Sequence, residues 1–476
     1  MASIRTDILN QFPSIDEAAA DILLQKEIAS DPCKIIVLDD DPTGVQTVHG
    51  ISVYTDWEEE SIRQGLGEQN KLFYILTNSR GFTASQTREV HTQIARRIHR
   101  VSAEMGLDVI VISRSDSTLR GHYPLETEVL KEVFEEESGR TIDGEILCPF
   151  FKEGGRFTLN NIHYVQYGDE LVPAGETEFA GDKTFGYHSS GLPAYVEEKT
   201  GGRFPASEVT CISLDLLRSM DYDGITRLLL DVTGFRKVIV NAIDYCDIKV
   251  FCTALYRAMA AGKRYLFRTA AAIVKVLGGI TDKPLLTRQD MVTRDTSKGG
   301  IIVVGSHTAK TTAQLNELLT LSGLLGIEFR SDLVLASPEQ WQDEISRVQE
   351  LCEEAVDAGK TAVVYTNRKL LTIDHDTKEE ALLRSVRISD AVQSFVGNLK
   401  TAPAFVIAKG GITSSDVGTK ALRVKRATVM GQIRPGIPVW QTGEESLFPH
   451  TPYVIFPGNV GEVTTLREAA QILMGQ

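Results

Sequence analysis

The stretch that decides the fold is "IIVLDDDPTGVQTVHG", residues 35–50. Its four leading residues are apolar and mostly β-branched, which predicts a buried strand. Three consecutive aspartates, Asp39, Asp40 and Asp41, follow at once, and a Pro-Thr-Gly turn comes after them. One aspartate is enough to cap a following helix through its backbone amides. Three in a row therefore indicate that at least one of them has a functional role.

Short β-branched segments alternate with longer helical patterns along most of the chain. This alternation is typical of an α/β fold with largely parallel sheets. The predicted strands form two series, at residues 34–38, 72–76, 108–112, 237–240 and 265–267, and then at 298–306, 361–367, 404–411, 439–443 and 453–459. We therefore expect two α/β domains that face each other across a central cleft.

The glycine-flanked, charged stretch at residues 278–300 separates the two series and indicates the domain boundary. We assign residues 1–33 to an N-terminal helical extension, 34–285 to a first α/β domain and 286–476 to a second. Residues 151–191 are rich in Gly, Thr and Tyr and show no helical period. A stretch of this length is rarely a passive connection, so we expect a β-hairpin excursion or a lid on the first domain.

Composition and charge limit the function. The chain has 476 residues, with 50 Lys and Arg against 64 Asp and Glu, so its formal net charge is −14. This excess of acid argues against nonspecific binding of nucleic acid or of an anionic membrane. The six cysteines form no C-x-x-C pair, and no apolar run is long enough to span a bilayer. We expect a cytoplasmic protein with reduced thiols and neither a nucleic-acid nor a membrane partner.

Polar side chains also follow the predicted strand at 108–112. The loop "SRSDSTLRGHY" (113–123) carries Arg114, Asp116, Ser117, Thr118, Arg120 and His122. Ligands of parallel α/β sheets bind beyond the carboxyl ends of the strands, so this loop should face the same crevice as the three aspartates. Arginine suits a carboxylate, while Asp and Ser suit hydroxyl groups, which favours a small polyhydroxy acid. The alternative is a solvated loop in which Arg120 and Asp116 pair with each other.

Glycine-bearing turns recur after strands of the second series. They lie in "VVGSHTAKTTAQL" (303–315), "IAKGGITSSDV" (407–417) and "FPGNVGEVTTL" (456–466). Each alone is ordinary turn chemistry, but three at strand ends favour a cradle of backbone amides for phosphate groups. No G-x-x-x-x-G-K-[ST] loop is present and no G-x-G-x-x-G follows a strand. These absences disfavour a P-loop NTPase and a standard dinucleotide enzyme.

Taken together, these motifs resemble the four-carbon acid sugar kinase family, long catalogued as a domain of unknown function. The resemblance extends from about residue 34 to residue 470 and rests on "DDDPTGVQT", "SDSTLRGHY", "NIHYVQYGDELVPAGETEFAGDKTFGY", "FRTAAA", "VVGSHTAKTTAQL", "AKGGITSSDV" and "PGNVG", in that order. It implies that the first domain binds a sugar acid such as threonate or erythronate and that the second binds ATP. It also implies phosphoryl transfer to a terminal hydroxyl in the cleft, with Mg²⁺ as cofactor.

The resemblance also implies roles for individual residues. Asp39, Asp40, Thr43 and Gly44 match the family's Asp-Asp-x-Thr-Gly turn, although the inserted Asp41-Pro42 leaves Asp40 and Asp41 as an alternative match. The expected catalytic residues are Asp40, Asp116 and Arg120. The expected substrate-binding residues are Asp39, Asp41, Thr43, Gly44, Arg114, Ser117, His122 and Arg268. The expected ATP-binding residues are Gly305, Ser306, Gly410, Gly411, Thr413, Gly458, Asn459 and Gly461.

For the mechanism, we expect Arg120, supported by Arg114 or Arg268, to bind the substrate carboxylate. Either Asp40 or Asp116 would orient and deprotonate the attacking hydroxyl, since phosphoryl transfer depends mainly on positioning and charge neutralisation. The remaining aspartates would help to hold Mg²⁺ directly or through water, because Mg²⁺ takes few carboxylates and keeps several waters.

The chain departs from the family pattern at several positions. Arg114 stands where many relatives have a lysine, and Ile412 stands where an acidic residue often follows the paired glycines. The turn at 457–461 lacks the lysine and phenylalanine of many members. Two other classes therefore stay open, a non-catalytic sensor of nucleotide and sugar acid and a Rossmann-type hydroxy-acid oxidoreductase. The sequence also leaves open whether the protein forms a homodimer.

Overall fold

The computed structural model describes residues 2–294, 296–368, 371, 378–458 and 460–476. The chain divides into two compact units. The first comprises Met1–Gly44 and Asp56–Asp282, and the second comprises Val45–Thr55 and Lys283–Gln476. Each unit contains a mostly parallel sheet with helices, which confirms the predicted class of two α/β domains.

The strands of the described ranges are numbered in chain order. They are β1 (Ile4–Arg5), β2 (Lys34–Asp39), β3 (Ser52–Tyr54), β4 (Leu72–Leu76), β5 (Val109–Arg114), β6 (Gly144–Cys148), β7 (Arg156–Leu159), β8 (Ile162–Tyr167), β9 (Glu170–Pro173), β10 (Thr210–Ile212), β11 (Arg236–Val240), β12 (Tyr265–Thr269), β13 (Ile301–Val304), β14 (Leu324–Phe329), β15 (Thr361–Thr366), β16 (Val406–Lys409), β17 (Arg426–Arg434), β18 (Ile437–Thr442) and β19 (Pro452–Phe456).

The α-helices of the same ranges follow the alternation expected from the sequence. They are α1 (Glu17–Ser30), α2 (Glu59–Gly67), α3 (Ala84–Met105), α4 (Leu125–Ser138), α5 (Leu192–Lys199), α6 (Leu214–Arg218), α7 (Tyr222–Leu230), α8 (Tyr245–Ala260), α9 (Ala271–Leu277), α10 (Arg288–Met291), α11 (Ala309–Leu318), α12 (Pro338–Asp357), α13 (Lys378–Gly397), α14 (Gly411–Asp416) and α15 (Thr465–Met474). In the part of the chain that the structure describes, no helix combines the length and the hydrophobicity needed to cross a membrane.

The first unit is built on a parallel sheet. Its strands run in the order β10-β11-β6-β12-β5-β2-β4, and every neighbouring pair is parallel. The apolar run from Ile35 to Leu38 in β2 is buried, because helices cover both faces of a parallel sheet. The hydrophobic run that precedes the three aspartates is therefore an interior strand of this sheet.

Residues 151–191 of the first unit form an antiparallel meander. Strand β7 pairs with β8, and β8 pairs with β9. The N-terminal residues join it, since Ile4 of β1 lies opposite Leu171 of β9. Helix α1 packs on α8, where the Lys249 ammonium lies 2.8 Å from Asp21. The N-terminal extension therefore packs on its own unit and includes a short strand as well as a helix.

The second unit has a mixed sheet in the order β3-β17-β18-β19-β16-β13-β15-β14. The five strands from β19 to β14 are parallel neighbours, whereas β3, β17, β18 and β19 pair antiparallel. Strand β3 comes from the early segment Val45–Thr55, which the sequence-based boundaries place with the first domain. The second unit is thus assembled from two separate stretches of the chain.

Each of the predicted strand segments overlaps an observed strand. The strands that the pattern did not reveal are β1, β3, β6, β10, β14 and β17, whereas the meander strands lie in the stretch where a β-hairpin excursion or a lid was expected. Two of these, β3 and β10, have only three residues, which is too short for a periodicity to be recognised. Glycines interrupt β14 and β17 and weaken their strand pattern.

Candidate functional site

Four neighbouring strands of the first unit end at the same level. In the sheet register Asp39 of β2 lies opposite Arg114 of β5 and also opposite Leu76 of β4. Arg114 lies in turn opposite Thr269 of β12. The residues that follow these strand ends therefore meet at one edge of the sheet, where ligands of parallel α/β sheets bind.

Arg114 is a buried guanidinium that joins the aspartates. Its Nε donates to Asp39 Oδ1 at 2.5 Å, and its Nη2 donates to the Asp41 carbonyl oxygen at 2.6 Å. Burial raises the pKa of Asp39 to about 7, although Arg114 acts in the opposite direction. Gly44 packs so closely against this group that a Cβ at this position would collide with the Arg114 guanidinium. A glycine is therefore required for the turn to approach Arg114.

Arg80 holds the other two carboxylates. It follows β4 and binds Asp40 with both ends of its fork, at 2.7 Å from Nη2 to Oδ1 and 3.2 Å from Nε to Oδ2. Its Nη1 reaches Asp41 Oδ2 at 3.2 Å. Arg80 is not among the residues predicted from the sequence, although "TNSRG" also follows a predicted strand and the same rule could have indicated it.

The two carboxylates held by Arg80 differ in acidity. Burial raises the pKa of Asp40, and Arg80 and Arg114 offset this only in part. Burial also acts on Asp41, but Arg80, Arg114 and the hydrogen bonds from Thr43 outweigh it and lower the pKa. The Thr43 N–H donates to Asp41 Oδ1 at 2.8 Å. Asp41 thus fixes the turn as an ionised carboxylate, whereas the pKa of Asp40 is raised.

The loop after β5 contains the pairing that the sequence left open as an alternative. Arg120 Nε donates to Asp116 Oδ2 at 2.6 Å, and the Thr118 hydroxyl donates to the same oxygen. Arg120 and Arg80 hold the pKa of Asp116 well below its usual range, because together with the Thr118 hydrogen bond they outweigh the effect of burial. The Asp116 side chain is only 11% exposed, so this is not a solvated loop.

Four successive carbonyl groups of this loop each accept a hydrogen bond from a side chain of another element. The pairs are Ser117 with His163 Nε2 at 2.7 Å, Thr118 with the Tyr187 hydroxyl at 2.8 Å, Leu119 with the Tyr195 hydroxyl at 2.9 Å and Arg120 with Arg268 Nη2 at 2.8 Å. Buried carbonyls that are all bonded in this way fix the backbone path. The loop is therefore shaped before any ligand arrives.

Arg268 and His122 support the loop from two sides. Arg268 Nη1 donates to Glu126 Oε2 at 2.9 Å. The cationic Arg268 outweighs the effect of burial and lowers the pKa of Glu126 to about 2. His122 Nε2 lies 2.9 Å from the Phe82 carbonyl oxygen, and its ring packs edge-on against Phe185. Both side chains are hydrogen-bonded within the protein, so in this structure each of them holds the loop in position.

The meander contributes an arginine that was not predicted from the sequence. Arg156 opens β7, is 7% exposed, and lies over the ring of Phe179 at 5.8 Å. The guanidinium of Arg120 lies over the same ring at 5.0 Å. A single arginine inside an irregular polar stretch gives no sequence signal of burial, so only the tertiary structure could place it beside the loop.

The carboxylates at this edge are paired with arginines and not gathered around a common point. Among the described residues, no group of three or more His, Cys, Asp or Glu side chains converges in a way that could hold a metal ion. The carboxylates of Asp39, Asp40 and Asp41 are instead bonded to Arg114 and Arg80. Mg²⁺ usually takes only one or two carboxylates together with waters and substrate phosphates, so its binding by these aspartates stays a prediction.

The three glycine-bearing turns lie side by side in the second unit. Val304 of β13 lies opposite Lys409 of β16, and Lys409 lies opposite Phe456 of β19. Gly305, Gly410 and the turn at 457–458 therefore leave the sheet at one level. The structure brings Gly305, Ser306, Gly410 and Thr413 into contact distance of one another, and Gly458 follows the neighbouring strand end at the same level. Asn459 lies outside the described residues.

Close packing in these turns depends on glycine at position 305. A Cβ on Gly305 would collide with the Thr413 hydroxyl, which belongs to α14. Helix α14 begins at Gly411, directly after Gly410. On the other side, the Ser306 hydroxyl accepts from the Thr311 hydroxyl at 3.2 Å in the first turn of α11. The first two turns are thus packed against each other.

Two cations at this edge were not selected from the sequence. Lys409 is fully buried, and its Nζ donates to the Pro457 and Gly458 carbonyls at 2.6 Å and 3.2 Å. Burial, aided by Lys310, lowers the pKa of Lys409 to about 7. Arg368 Nη2 donates to the Ser306 carbonyl, and its buried Nη1 has no partner among the described residues. The lysine in "IAKGG" was visible as a charge at a strand end, but its burial was not.

Two family models match the chain. One, described as a sugar-binding N-terminal domain, matches residues 35–277, and the other, a nucleotide-binding C-terminal domain, matches residues 301–466. The fold and the two strand-end sites thus define a protein with one sugar-binding and one nucleotide-binding α/β domain. The chain belongs to the four-carbon acid sugar kinase family, as its motifs indicated.

Two solved structures illustrate the fold. A Haemophilus influenzae protein, from a family catalogued as a domain of unknown function, superposes with a TM-score of 0.59 at 16% identity over 92% of this chain and 100% of its own. A Salmonella typhimurium LT2 protein, named provisionally as a tRNA synthase, gives 0.66 at 14% identity over 92% and 98%. At such identities the likeness shows the fold alone. No curated protein matches the chain.

Proposed function

We propose that the protein is an ATP-dependent kinase that phosphorylates a hydroxyl group of a small sugar acid with four carbons. The observation that supports it most directly is the presence, in one chain, of a sugar-binding and a nucleotide-binding domain. Each has a polar strand-end cluster of matching chemistry, Asp and Arg in the first and glycine turns with cations in the second.

In the sugar-binding unit, Asp40 is a better candidate for the general base than Asp116. A base works best when its pKa lies near the working pH, and burial shifts Asp40 in that direction. Asp116 is held strongly ionised and is already bonded to Arg120 and Thr118. Asp116 would therefore accept a hydrogen bond from a substrate hydroxyl and orient it, while Asp40 takes the proton of the attacking one.

On the nucleotide side, the amides at Gly305, Ser306, Gly410, Gly411 and Gly458 would contact the phosphate groups. Backbone N–H groups at the start of helices suit anions. Lys409 and Arg368 would add positive charge, which phosphoryl transfer requires on the phosphate oxygens. Neither cation has a carboxylate partner among the described residues, so neither is already neutralised by a protein anion.

The test is ADP release from Mg-ATP against D- and L-threonate, D- and L-erythronate and their 2- and 3-oxo forms. We expect release with at least one acid, and loss of release in Asp40→Asn, Asp116→Asn and Arg120→Ala variants that keep the wild-type melting temperature. Binding of both ligands without ADP release would instead identify a sensor. A fluorescence change with NAD(P)H but not with ATP would favour the oxidoreductase class.

A further inference from the structure

We propose that Arg156 binds the carboxylate of the sugar acid, so that the meander of residues 151–191 determines the preference for an acid over a neutral sugar. This inference rests on the proposed function, because it assigns one end of the same substrate. It replaces Arg120, Arg114 and Arg268 as the expected carboxylate ligands.

The other arginines near this strand-end site already bind carboxylates. The pairs are Arg80 with Asp40 at 2.7 Å, Arg114 with Asp39, Arg120 with Asp116 at 2.6 Å and Arg268 with Glu126 at 2.9 Å. A substrate carboxylate would have to share one of these guanidinium groups with a carboxylate already bonded to it, and repulsion between the two anions would offset part of the attraction.

Arg156 is different. No carboxylate oxygen of the described residues lies within ion-pair distance of it, and its buried Nε has no hydrogen-bond acceptor there. Its Nη1 donates to the nearby Gly154 carbonyl. A guanidinium that is 7% exposed and lacks an anionic partner is unfavourable in isolation. An anion that approached its Nε edge would satisfy both the charge and the donor.

Arg156 is also held at the substrate loop. Its strand is anchored by Thr158, which exchanges backbone hydrogen bonds with Ala242 and whose hydroxyl lies 3.0 Å from His163 Nδ1. His163 holds the Ser117 carbonyl of the loop. Arg156 and Arg120 lie over the same Phe179 ring. A ligand bonded to Arg156 would therefore lie close to the side chains of the loop.

The chemistry of the group favours a carboxylate. The planar guanidinium presents paired donors that match a carboxylate bidentately, whereas a hydroxyl or amide cannot supply the negative charge. Arg156 would fix the acid end of the substrate, and the Asp116 and Asp40 region would receive its hydroxyl groups.

The test is calorimetric binding of threonate and erythronate, with the matching amides and the neutral alditol threitol as comparison ligands. We expect Arg156→Gln to weaken acid binding about tenfold or more, since hydrogen bonds between charged groups contribute about 1.5–3 kcal/mol. Binding of the amides and of ATP should not change. Arg156→Lys keeps the positive charge but loses the planar pair of donors, so its affinity for the acids should lie between those of the wild type and Arg156→Gln.

The matched control is Arg264→Gln. Arg264 is partly buried and precedes β12 at the opposite edge of the same sheet, and its guanidinium donates to the Ser138 hydroxyl and the Arg140 carbonyl but to no carboxylate of the described residues. The Arg264→Gln variant should bind the acids with the affinity of the wild type. ADP release in Arg156→Gln with an unchanged KM for the acid would overturn the inference but keep the kinase. Acid binding that depends on Arg156 in a protein that releases no ADP would overturn the kinase and keep the inference.

Discussion

At the scale of single residues, charge pairing explains how three adjacent aspartates can end a buried strand. Arg114 and Arg80 lie among them and bond all three carboxylates. The repulsion of like charges is thereby compensated inside the protein. The arginines do not affect the three carboxylates equally, because the pKa of Asp40 is raised and that of Asp41 is lowered. Neighbouring residues of one type thus acquire different chemical properties.

The first prediction at this scale concerns Lys409. Its pKa is lowered to about 7 by burial and by Lys310, and phosphate groups at the adjacent turns would raise it again. We therefore expect nucleotide binding near pH 7.5 to take up protons, up to about one per site. Calorimetry in two buffers of different ionisation enthalpy measures this uptake directly.

The matched control for this experiment is Lys420, which is half-exposed and paired with Asp390 and Asp416. The uptake should disappear in Lys409→Met and persist in Lys420→Met. Uptake that is equal in the two variants would show that another group binds the proton.

At the scale of elements, the loop after β5 owes its shape to side chains that come from later parts of the first unit. His163 of β8 is fully buried. Its Nε2 faces a carbonyl, which can only accept, so Nε2 carries the proton and Nδ1 accepts from Thr158. A protonated ring would have to reverse this bond, with Nδ1 donating to the Thr158 hydroxyl oxygen.

This geometry leads to a prediction about pH. Burial, with Arg156 in support, lowers the pKa of His163 from 6.5 to about 4. The unfolded chain therefore binds the proton first, and the stability of the first unit should fall as the pH drops from about 6.5 to about 4. The contribution is about 3 kcal/mol at most. Urea denaturation at a series of pH values measures it.

A glutamine at position 163 keeps one donor and one acceptor but does not titrate. We therefore expect the stability of His163→Gln to fall less than that of the wild type as the pH drops from about 6.5 to about 4. The control is His188→Gln, because the His188 side chain is 97% exposed, and its profile should follow that of the wild type. If the stability of His163→Gln falls with pH as steeply as that of the wild type, His163 is not the group responsible.

At the scale of the whole molecule, the second unit depends on a segment from the first eighth of the sequence. Val53 of β3 lies opposite Ala427 of β17 and is 1% exposed. A charge placed there would be buried in the second unit, although the sequence position lies among residues of the first. Folding of the second unit therefore requires contacts between residues that are far apart along the chain.

The corresponding prediction concerns Val53→Asp. A buried unpaired charge costs several kcal/mol, so we expect loss of nucleotide binding and faster hydrogen exchange in 283–476. Sugar-acid binding by the first unit should persist. The control Ile36→Asp, in the core of β2, should give the opposite pattern. Equal loss of both ligands in both variants would show that the units do not unfold separately.

The candidate site was predictable in part. The strand-end rule correctly grouped Asp39, Asp40 and Asp41 with the loop at 113–123, because hydrophobic runs mark strands locally and parallel strands end together. The same rule applied to the glycine turns of the second unit. It did not find Arg156 or Lys409, since a single cation in a sequence reads like any surface residue until its burial and its missing partner are seen.

The sequence by itself determined the alternation of strands and helices, the positions of the glycine turns and the family. These features depend on residues close together along the chain, so a periodicity or a short motif suffices. The tertiary structure alone decided which carboxylates Arg80, Arg114 and Arg268 bind and where β3 belongs. Arg114 and Asp39 are 75 residues apart, and Arg426 and Ser52 are 374 apart. Such pairings arise only when the folded chain brings distant segments together, and no local pattern encodes them.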